Sequence, residues 1–222
     1  MISYLETNSL LHPSHHGFRS SHSTSSALLQ MYDSWLEAIA RDEIVATVMV
    51  DLSAAFDVVD HEILLKKLSI YGFEENTLNW LDSYLCQRQQ IVLVDGHLSE
   101  PLPLEAGVPQ GSILGPLLYI LYTNDLPEVI HEHQRESHGH ALDCTKCGSI
   151  VCYADDATLS TCSKDPAVLK TKLDEHYELI AKYMAMNKLK LNSEKTHLMI
   201  MRTAEKHKRT EHRHRNHSTF KV

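Results

Sequence analysis

Two adjacent aspartates, Asp155 and Asp156, interrupt a run that otherwise has the composition of a β-strand, IVCYADDATLS at residues 150–160. Neighbouring carboxylates repel each other, and a strand of a folded protein buries at least one face, so both charges oppose folding at this point. The apolar residues on either side of the pair predict a hairpin with the aspartates at its turn. Charge in such a place indicates a function rather than a contribution to stability.

A third acid ends another apolar run earlier in the chain. Residues 44–52, IVATVMVDL, are β-branched and apolar, and they predict a buried strand that ends near Asp51. Three carboxylates that converge from neighbouring strands form a site for hard divalent cations such as Mg²⁺, which take oxygen ligands. Two such ions activate an attacking hydroxyl and stabilise a leaving pyrophosphate, so Asp51, Asp155 and Asp156 predict phosphoryl or nucleotidyl transfer.

The remaining pattern predicts a mixture of helices and short strands. Apolar residues have helical spacing in residues 22–40, 60–71, 76–85, 112–126 and 166–186, and extended runs occupy residues 44–52, 90–104, 150–160 and 188–201. The last run is expected to hold two short strands, and the polar residues 128–148 a surface insertion. Asp57 and Asp60 follow a strand and are expected to be loop or helix-cap acids. This order predicts an α+β fold, an antiparallel sheet with helices packed on one face.

Composition excludes several classes of protein. With 43% hydrophobic and 23% charged residues, the chain is typical of a globular protein, and no apolar run reaches the ~20 residues of a membrane span. Residues 1–11 lack the basic start and apolar core of a signal peptide, so an intracellular chain with reduced cysteines is expected. The net charge of −8 is unevenly placed, because residues 202–222 carry seven Lys or Arg against two Glu. This basic, His-rich tail is expected to be disordered.

Five ordered motifs resemble a known family. They are FRSSHST (18–24), MVDLSAAFDVVDH (49–61), GVPQGSILGPLLY (107–119), CYADD (152–156) and NKLKLNSEKTHLM (187–199). In residue identity and order they are similar to the reverse transcriptase domain of non-LTR (LINE-type) retrotransposons. The resemblance implies an RNA-directed DNA polymerase that adds dNTPs to a primer 3′-hydroxyl, with an RNA template and a DNA primer as partners. It also implies a right-hand polymerase fold, of which this chain holds the palm and part of the fingers.

The resemblance assigns catalytic roles to four residues. Asp51 and Asp155 would bind two Mg²⁺ ions directly, with Asp156 in a supporting role. Lys195 would lie near the pyrophosphate and donate a proton to it. An exposed lysine at a strand edge is the alternative interpretation of Lys195.

Four further residues would bind the incoming dNTP. Phe56 would lie under the sugar and clash with a 2′-hydroxyl, and Arg19 would meet the triphosphate through its guanidinium group. Gln110 and Gly111, which follow Pro109, would lie against the nucleotide and the template. The structural alternatives are a core phenylalanine, a surface arginine and a glycine that only serves a turn.

Residues 128–149 depart from the family pattern as a Cys- and His-rich insertion. Cys144 and Cys147 form a C-x-x-C pair, and His138 and His140 could complete a set of four Zn²⁺ ligands. A single pair is a weak signal, so a reduced loop without metal is favoured, and the family does not require zinc.

The motifs indicate a partial reverse transcriptase domain over residues 1–201, with the tail at 202–222. No thumb, endonuclease or N-terminal template-binding region is expected in this chain. A catalytically inactive, truncated remnant that acts, if at all, as an RNA- or protein-binding module is therefore the alternative function. The intact acids Asp51, Asp155 and Asp156 argue for the polymerase.

Overall fold

The computed structural model describes residues 1–138, 148–192 and 194–202. The helices of this part are α1 (Ile2–Thr7), α2 (Thr24–Ala40), α3 (His61–Ile70), α4 (Glu75–Leu85), α5 (Gly115–Thr123), α6 (Leu126–His138) and α7 (Pro166–Met186). The strands are β1 (Ile44–Val50), β2 (Gln89–Gln90), β3 (Leu93–Val94), β4 (His97–Leu98), β5 (Leu102–Pro103), β6 (Gly148–Tyr153), β7 (Asp156–Ser163) and β8 (His197–Met201). The predicted α+β composition is confirmed.

One antiparallel sheet of four strands, in the order β6-β7-β1-β8, organises the described residues. β1 pairs with β7 from Ile44 opposite Ser163 to Val50 opposite Ala157, and it pairs with β8 on its other side. A strand in the middle of a sheet must be apolar on both faces when both are covered, which is what the sequence IVATVMV provides. The short ladders β2–β5 and β3–β4 form an arm outside this sheet.

Helices cover both faces of the sheet. Val48 belongs to the main core with residues of α5 and α7, while Val45 packs on the opposite face against Ala38 of α2. On that second face the indole nitrogen of Trp35 donates to the hydroxyl of Ser160 at 2.8 Å. The prediction of helices on one face is therefore wrong for α2, because side chains alternate along a strand and β1 is apolar on both sides.

Side-chain caps define where three helices begin. Ser23 and Ser26 form a capping box at α2. Asp60 accepts from the main-chain N–H of Ile63 at 2.9 Å, and Asp165 caps α7 in the same way. Each cap stabilises its helix by about 1 kcal/mol. The prediction that Asp60 is a cap acid is confirmed.

Two segments differ from the sequence prediction. Residues 128–138, expected to begin a surface insertion, belong to α6, because Leu126, Val129 and Ile130 are spaced to give one apolar helix face and Ile130 is fully buried. The described part of residues 188–201 holds one strand, β8, rather than the two predicted, and an isolated bridge joins Leu191 to Leu52. No helix among the described residues is long and apolar enough to cross a bilayer.

Candidate active site

The three predicted acids meet at one end of the sheet. Val50 opposite Ala157 is the last pair of the β1–β7 ladder. Asp51 follows Val50 and Asp156 precedes Ala157, so the same register brings Asp51 opposite Asp156. Asp155 lies in the two-residue turn between β6 and β7. The sequence thus holds all three carboxylates through the pairing of two strands, which is a rigid way to position them.

The carboxylates act on one another electrostatically. Burial, followed by the negative charges of Asp155 and Asp51, raises the pKa of Asp156. A set of three oxygen-donor carboxylates fits Mg²⁺ by donor type, and a bound cation would relieve this repulsion. Within the described residues, no three acidic, His or Cys side chains already enclose a metal position. The case for Mg²⁺ at this position therefore rests on the three carboxylates as oxygen donors and on their mutual repulsion.

Lys195 reaches this end of the sheet through the chain that follows α7. The N–H of Ser53 donates to the carbonyl of Lys190 at 2.9 Å, and the N–H of Asn192 donates to the carbonyl of Asp51 at 3.0 Å. These bonds lay the segment alongside the end of β1. The ammonium nitrogen of Lys195 then stands 3.9 Å from Oδ2 of Asp51, with 70% of the lysine side chain exposed.

A segment before α2 supports the acidic turn from the other side. The N–H of Cys152 donates to the carbonyl of Ser14 at 2.8 Å, and the N–H of His16 donates to the carbonyl of Cys152 at 2.9 Å. This pairing brings Gly17 against Ala154, where a Cβ on Gly17 would stand 2.3 Å from the Ala154 nitrogen. Ala154 itself has a φ of +55°. The sequence analysis missed Gly17, although its place beside the FRSSHST motif was the available signal.

Phe56 lies in the turn after β1 and within a group of aromatic rings. Its ring centroid is 4.6 Å from that of Tyr119 on α5 and 6.5 Å from that of Phe18. Phe56 is partly buried, whereas 52% of Phe18 is exposed. Packing against Tyr119 fixes the ring of Phe56, so a core role and a role at the sugar of a nucleotide are compatible.

The GVPQG loop is bonded to the same turn. The N–H of Val108 donates to the carbonyl of Phe56 at 2.8 Å, and Gln110 donates through Nε2 to Oδ1 of Asp57 at 2.7 Å. Gly107 has a φ of +93°, and a Cβ there would stand 2.8 Å from the carbonyl oxygen of Asp57. Only glycine permits so close an approach to the Asp57 backbone. This role of Gly107 was not predicted from the sequence, although a glycine stands at each end of GVPQG.

Gly111 differs from Gly107 in its surroundings. Its φ is +77°, but no heavy atom lies within 4 Å of the position that a Cβ would take. The space beside Gly111 is therefore open. Glycine is favoured at this position by the positive φ of the backbone rather than by a close contact. Gln110 lines a groove of about 380 Å³ next to this position.

Arg19 is held by two main-chain carbonyls. Its Nη1 donates to the carbonyl oxygens of His12 and His15, each at 2.8 Å. Its Nε is buried with no hydrogen-bond partner among the described residues, and burial lowers the pKa of the guanidinium group. The contact of Arg19 with a triphosphate stays a prediction.

Most of the zinc hypothesis falls outside the part of the chain that the structure describes. Cys144, Cys147 and His140 are outside the described residues, and so is the side chain of His138, the last residue of α6. The zinc site stays a prediction.

Comparison with known proteins decides the family. The family described as reverse transcriptase (RNA-dependent DNA polymerase) matches residues 1–219. The chain belongs to the reverse transcriptase family. This reverse transcriptase chain is 36% identical over 183 residues to a probable RNA-directed DNA polymerase from transposon BS of Drosophila melanogaster. It is 32% identical over 179 residues to the RNA-directed DNA polymerase from mobile element jockey of the same organism.

These relatives are much longer than the reverse transcriptase chain. Each match covers 81% of this chain and 19% of the relative. The relatives are named for transposons and mobile elements, which confirms the predicted resemblance to reverse transcriptases of non-LTR retrotransposons.

Solved structures confirm the fold at a coarser level. Telomerase from Candida tropicalis, in complex with a TWJ fragment of telomeric RNA, has a TM-score of 0.64 at 13% identity, over 91% of this chain and 32% of that one. Telomerase from Candida albicans with the same kind of fragment has a TM-score of 0.62 at 16% identity, over 89% of this chain and 34% of that one. The mixed helices and antiparallel sheet of the reverse transcriptase chain are thus a known arrangement.

Proposed function

We propose that this chain carries the nucleotide-transfer site of an RNA-directed DNA polymerase, which extends a DNA primer along an RNA template. The observation that carries the proposal is the β1–β7 register, because it gathers Asp51, Asp155 and Asp156 at one open end of the sheet. Membership of the reverse transcriptase family supports the choice of dNTPs as substrate and RNA as template. The sheet and α5–α7 would be the palm, and the segment before α2 part of the fingers.

In this reaction the primer 3′-oxygen attacks the α-phosphorus of the dNTP, the bond to the β-phosphate breaks, and pyrophosphate leaves. Two Mg²⁺ ions, when bound, supply activation of the attacking hydroxyl and neutralisation of the leaving group. Asp51 and Asp155 would hold them, and Asp156 would support the site through its charge. Lys195, which is exposed and close to Asp51, is free to donate a proton to the pyrophosphate.

Selection of the substrate would fall to residues on the other side of the turn. Phe56, fixed against Tyr119, would exclude nucleotides with a 2′-hydroxyl. Gln110 and the open backbone at Gly111 would contact the nucleotide and the template base. Arg19, whose Nη1 is held by two carbonyls, would meet the triphosphate through its guanidinium group.

Primer extension tests the proposal. The purified chain is given an RNA template annealed to a DNA primer, dNTPs and Mg²⁺, and product length is followed on a denaturing gel. We expect extension by the wild type, with loss of at least about a hundredfold in rate in Asp51→Asn and Asp155→Asn. Removal of Mg²⁺ with EDTA should stop the wild type as well.

Asp174→Asn is the matched control, because Asp174 is an exposed helix acid that pairs with Lys170 four residues away. It should extend like the wild type. Extension that persists in Asp155→Asn would contradict the assigned acids. Absence of Mg²⁺-dependent extension in the wild type would contradict polymerase activity for this chain and favour the inactive remnant.

A further inference from the structure

A row of flat side chains lies along α4 and the turn after it, with its two ends exposed and its middle member partly buried. Leu81 and Leu85 are buried, and Trp80 and Tyr84, four residues apart, lie on the same side of the helix. Trp80 is exposed, whereas Tyr84 is partly buried against the core. Their ring centroids are 6.0 Å apart and their planes differ by 14°. The guanidinium carbon of Arg88 lies 5.6 Å from the centroid of the Tyr84 ring and continues the row. We call Trp80, Tyr84 and Arg88 the α4 ladder.

The backbone fixes the last member of the α4 ladder. After α4 ends, Gln87 adopts a φ of +59°, which turns the chain and brings Arg88 back over Tyr84. The carbonyl of Arg88 then accepts from the N–H of Leu104 at 2.9 Å, at the base of the β2–β5 ladder. A left-handed conformation in a non-glycine residue costs about 1 kcal/mol, so the turn is a specified feature rather than a loose end.

The α4 ladder continues into the groove beside the candidate active site. Arg88 lines the groove of about 380 Å³ together with Gln90, Gln110 and Asp57. Gln110 donates to Asp57, the residue after Phe56. A continuous surface of planar and amide-bearing side chains therefore runs from Trp80 to the edge of the proposed nucleotide site.

We propose that the α4 ladder is a stacking platform for the unpaired bases of the single-stranded RNA template as it enters the site. This inference rests on the proposed function. Aromatic rings and the guanidinium plane stack on any base, so they suit a strand whose sequence varies. An exposed tryptophan, 55% accessible, that stacks on another ring has the geometry this task needs.

The charges of α4 favour contact with bases rather than with phosphates. Glu74, Glu75 and Asp82 are exposed on or beside this helix, and Arg88 is the cation of the ladder. When one cation contacts phosphate, a plot of the logarithm of the binding constant against the logarithm of the salt concentration has a slope of about −1 or shallower. Binding through the ladder should therefore persist when salt screens the basic residues 202–222.

Tryptophan fluorescence tests the contact directly, because the chain has two tryptophans. Trp35→Phe leaves Trp80 as the reporter, and Trp80→Phe leaves Trp35, which lies against the sheet. Each variant is titrated in EDTA with a single-stranded oligoribonucleotide of about twelve nucleotides, at an ionic strength of about 0.3 M. We expect saturable quenching in Trp35→Phe and none in Trp80→Phe.

Affinity provides the second measurement. Anisotropy of the labelled oligoribonucleotide gives Kd for the full chain, and Trp80→Ala and Arg88→Ala should each raise it about fivefold or more. Ile70→Ala is the matched control, because Ile70 is 84% exposed at the end of α3 and lies outside the ladder. Its Kd should equal that of the wild type.

Three results would overturn the proposal: no binding of RNA by the wild type, an unchanged Kd in both ladder variants, or an absence of quenching when Trp80 is the reporter. If Trp80→Ala alters the oligomeric state and leaves Kd unchanged, the surface binds protein instead. Asp155→Asn separates this inference from the polymerase proposal, because it should abolish extension and keep the wild-type Kd. A chain without extension but with a ladder-dependent Kd would refute the polymerase proposal alone.

Discussion

A Cβ atom on Gly17 would stand 2.3 Å from the main-chain nitrogen of Ala154, so the segment before α2 rests directly on the turn that carries Asp155. The turn is thus supported by a part of the chain more than a hundred residues away in sequence. β1 supports it from the other side through its register with β7. The geometry of the acids depends on both supports, because neither pairing alone fixes the direction of a two-residue turn.

Replacing Gly17 with alanine should therefore disturb the acids more than the rest of the fold. The methyl group cannot be accommodated without moving either Ala154 or residues 14–17, and we expect a loss of roughly 1–3 kcal/mol in the free energy of unfolding. Primer extension should fall more steeply than stability. Urea denaturation and extension assays on the same preparation measure both quantities.

Gly96→Ala is the control for this substitution. Gly96 also carries a backbone that favours glycine, with φ at +80°, but nothing lies within 4 Å of its would-be Cβ. It should lose about 1 kcal/mol from backbone strain and retain extension. Equal losses of extension in the two variants would refute the positioning role of Gly17.

Part of this site could be predicted from the sequence, because charge inside an apolar run is a local signal. Asp51, Asp155 and Asp156 could be recognised in that way, whereas the register that brings Asp51 opposite Asp156 comes from the structure. The contact that Gly17 makes could not, since it joins distant segments, although its place beside a motif marked the residue as a candidate. The fixed position of Arg19 likewise depends on the carbonyls of a neighbouring loop.

Errors in the fold prediction also have physical causes. Three apolar residues at the start of α6 were outweighed by the polar residues that follow, so its helical period was overlooked. In β1 the side chains that point to each face of the sheet are apolar, and this pattern indicates that both faces are covered. Val45 and Val48 lie on opposite faces, and each has a helix to pack against.

Lys195 provides a prediction that separates chemistry from stability. Its side chain is 70% exposed and 3.9 Å from Asp51, so Lys195→Ala should leave the free energy of unfolding within about 0.5 kcal/mol of the wild type. Loss of a proton donor should slow extension about a hundredfold. Lys195→Arg should restore only part of the rate.

Lys182→Ala is the comparison for Lys195, because Lys182 is similarly exposed and pairs with Glu178 on α7. Its extension rate should match the wild type. An unchanged rate in Lys195→Ala would support the alternative, an exposed lysine at a strand edge.

His176 makes stability depend on pH. It is 3% exposed beneath the sheet, its Nδ1 is 2.8 Å from the hydroxyl of Thr161, and burial, aided by His133 and Lys172, lowers its pKa to about 4. Between pH 6.5 and 4 the unfolded chain binds a proton that the folded chain does not. Stability from this residue is therefore complete above pH 6.5 and falls as pH decreases, by up to about 3 kcal/mol.

Urea denaturation at several pH values measures this loss. His176→Gln removes the titrating group, so its free energy of unfolding should vary less between pH 7 and pH 4 than that of the wild type. The remaining slope should include His15, whose pKa burial also lowers to about 4. Parallel curves for the two proteins would contradict the assignment to His176.

Phe56 is expected to decide between deoxynucleotides and ribonucleotides. Phe56→Ala opens the space that the ring occupies beside Tyr119, and a 2′-hydroxyl can then be accommodated. We expect the ratio of kcat/KM for dNTPs to that for rNTPs to fall about tenfold or more, mainly through faster rNTP insertion. Because Phe56 is partly buried, the variant should also lose about 2 kcal/mol in the free energy of unfolding. Phe73→Ala is the control that separates the two effects, since Phe73 is another partly buried ring and packs against Tyr4. It should lose comparable stability with unchanged sugar selectivity. A selectivity ratio that stays at the wild-type value in Phe56→Ala would identify Phe56 as a core residue only.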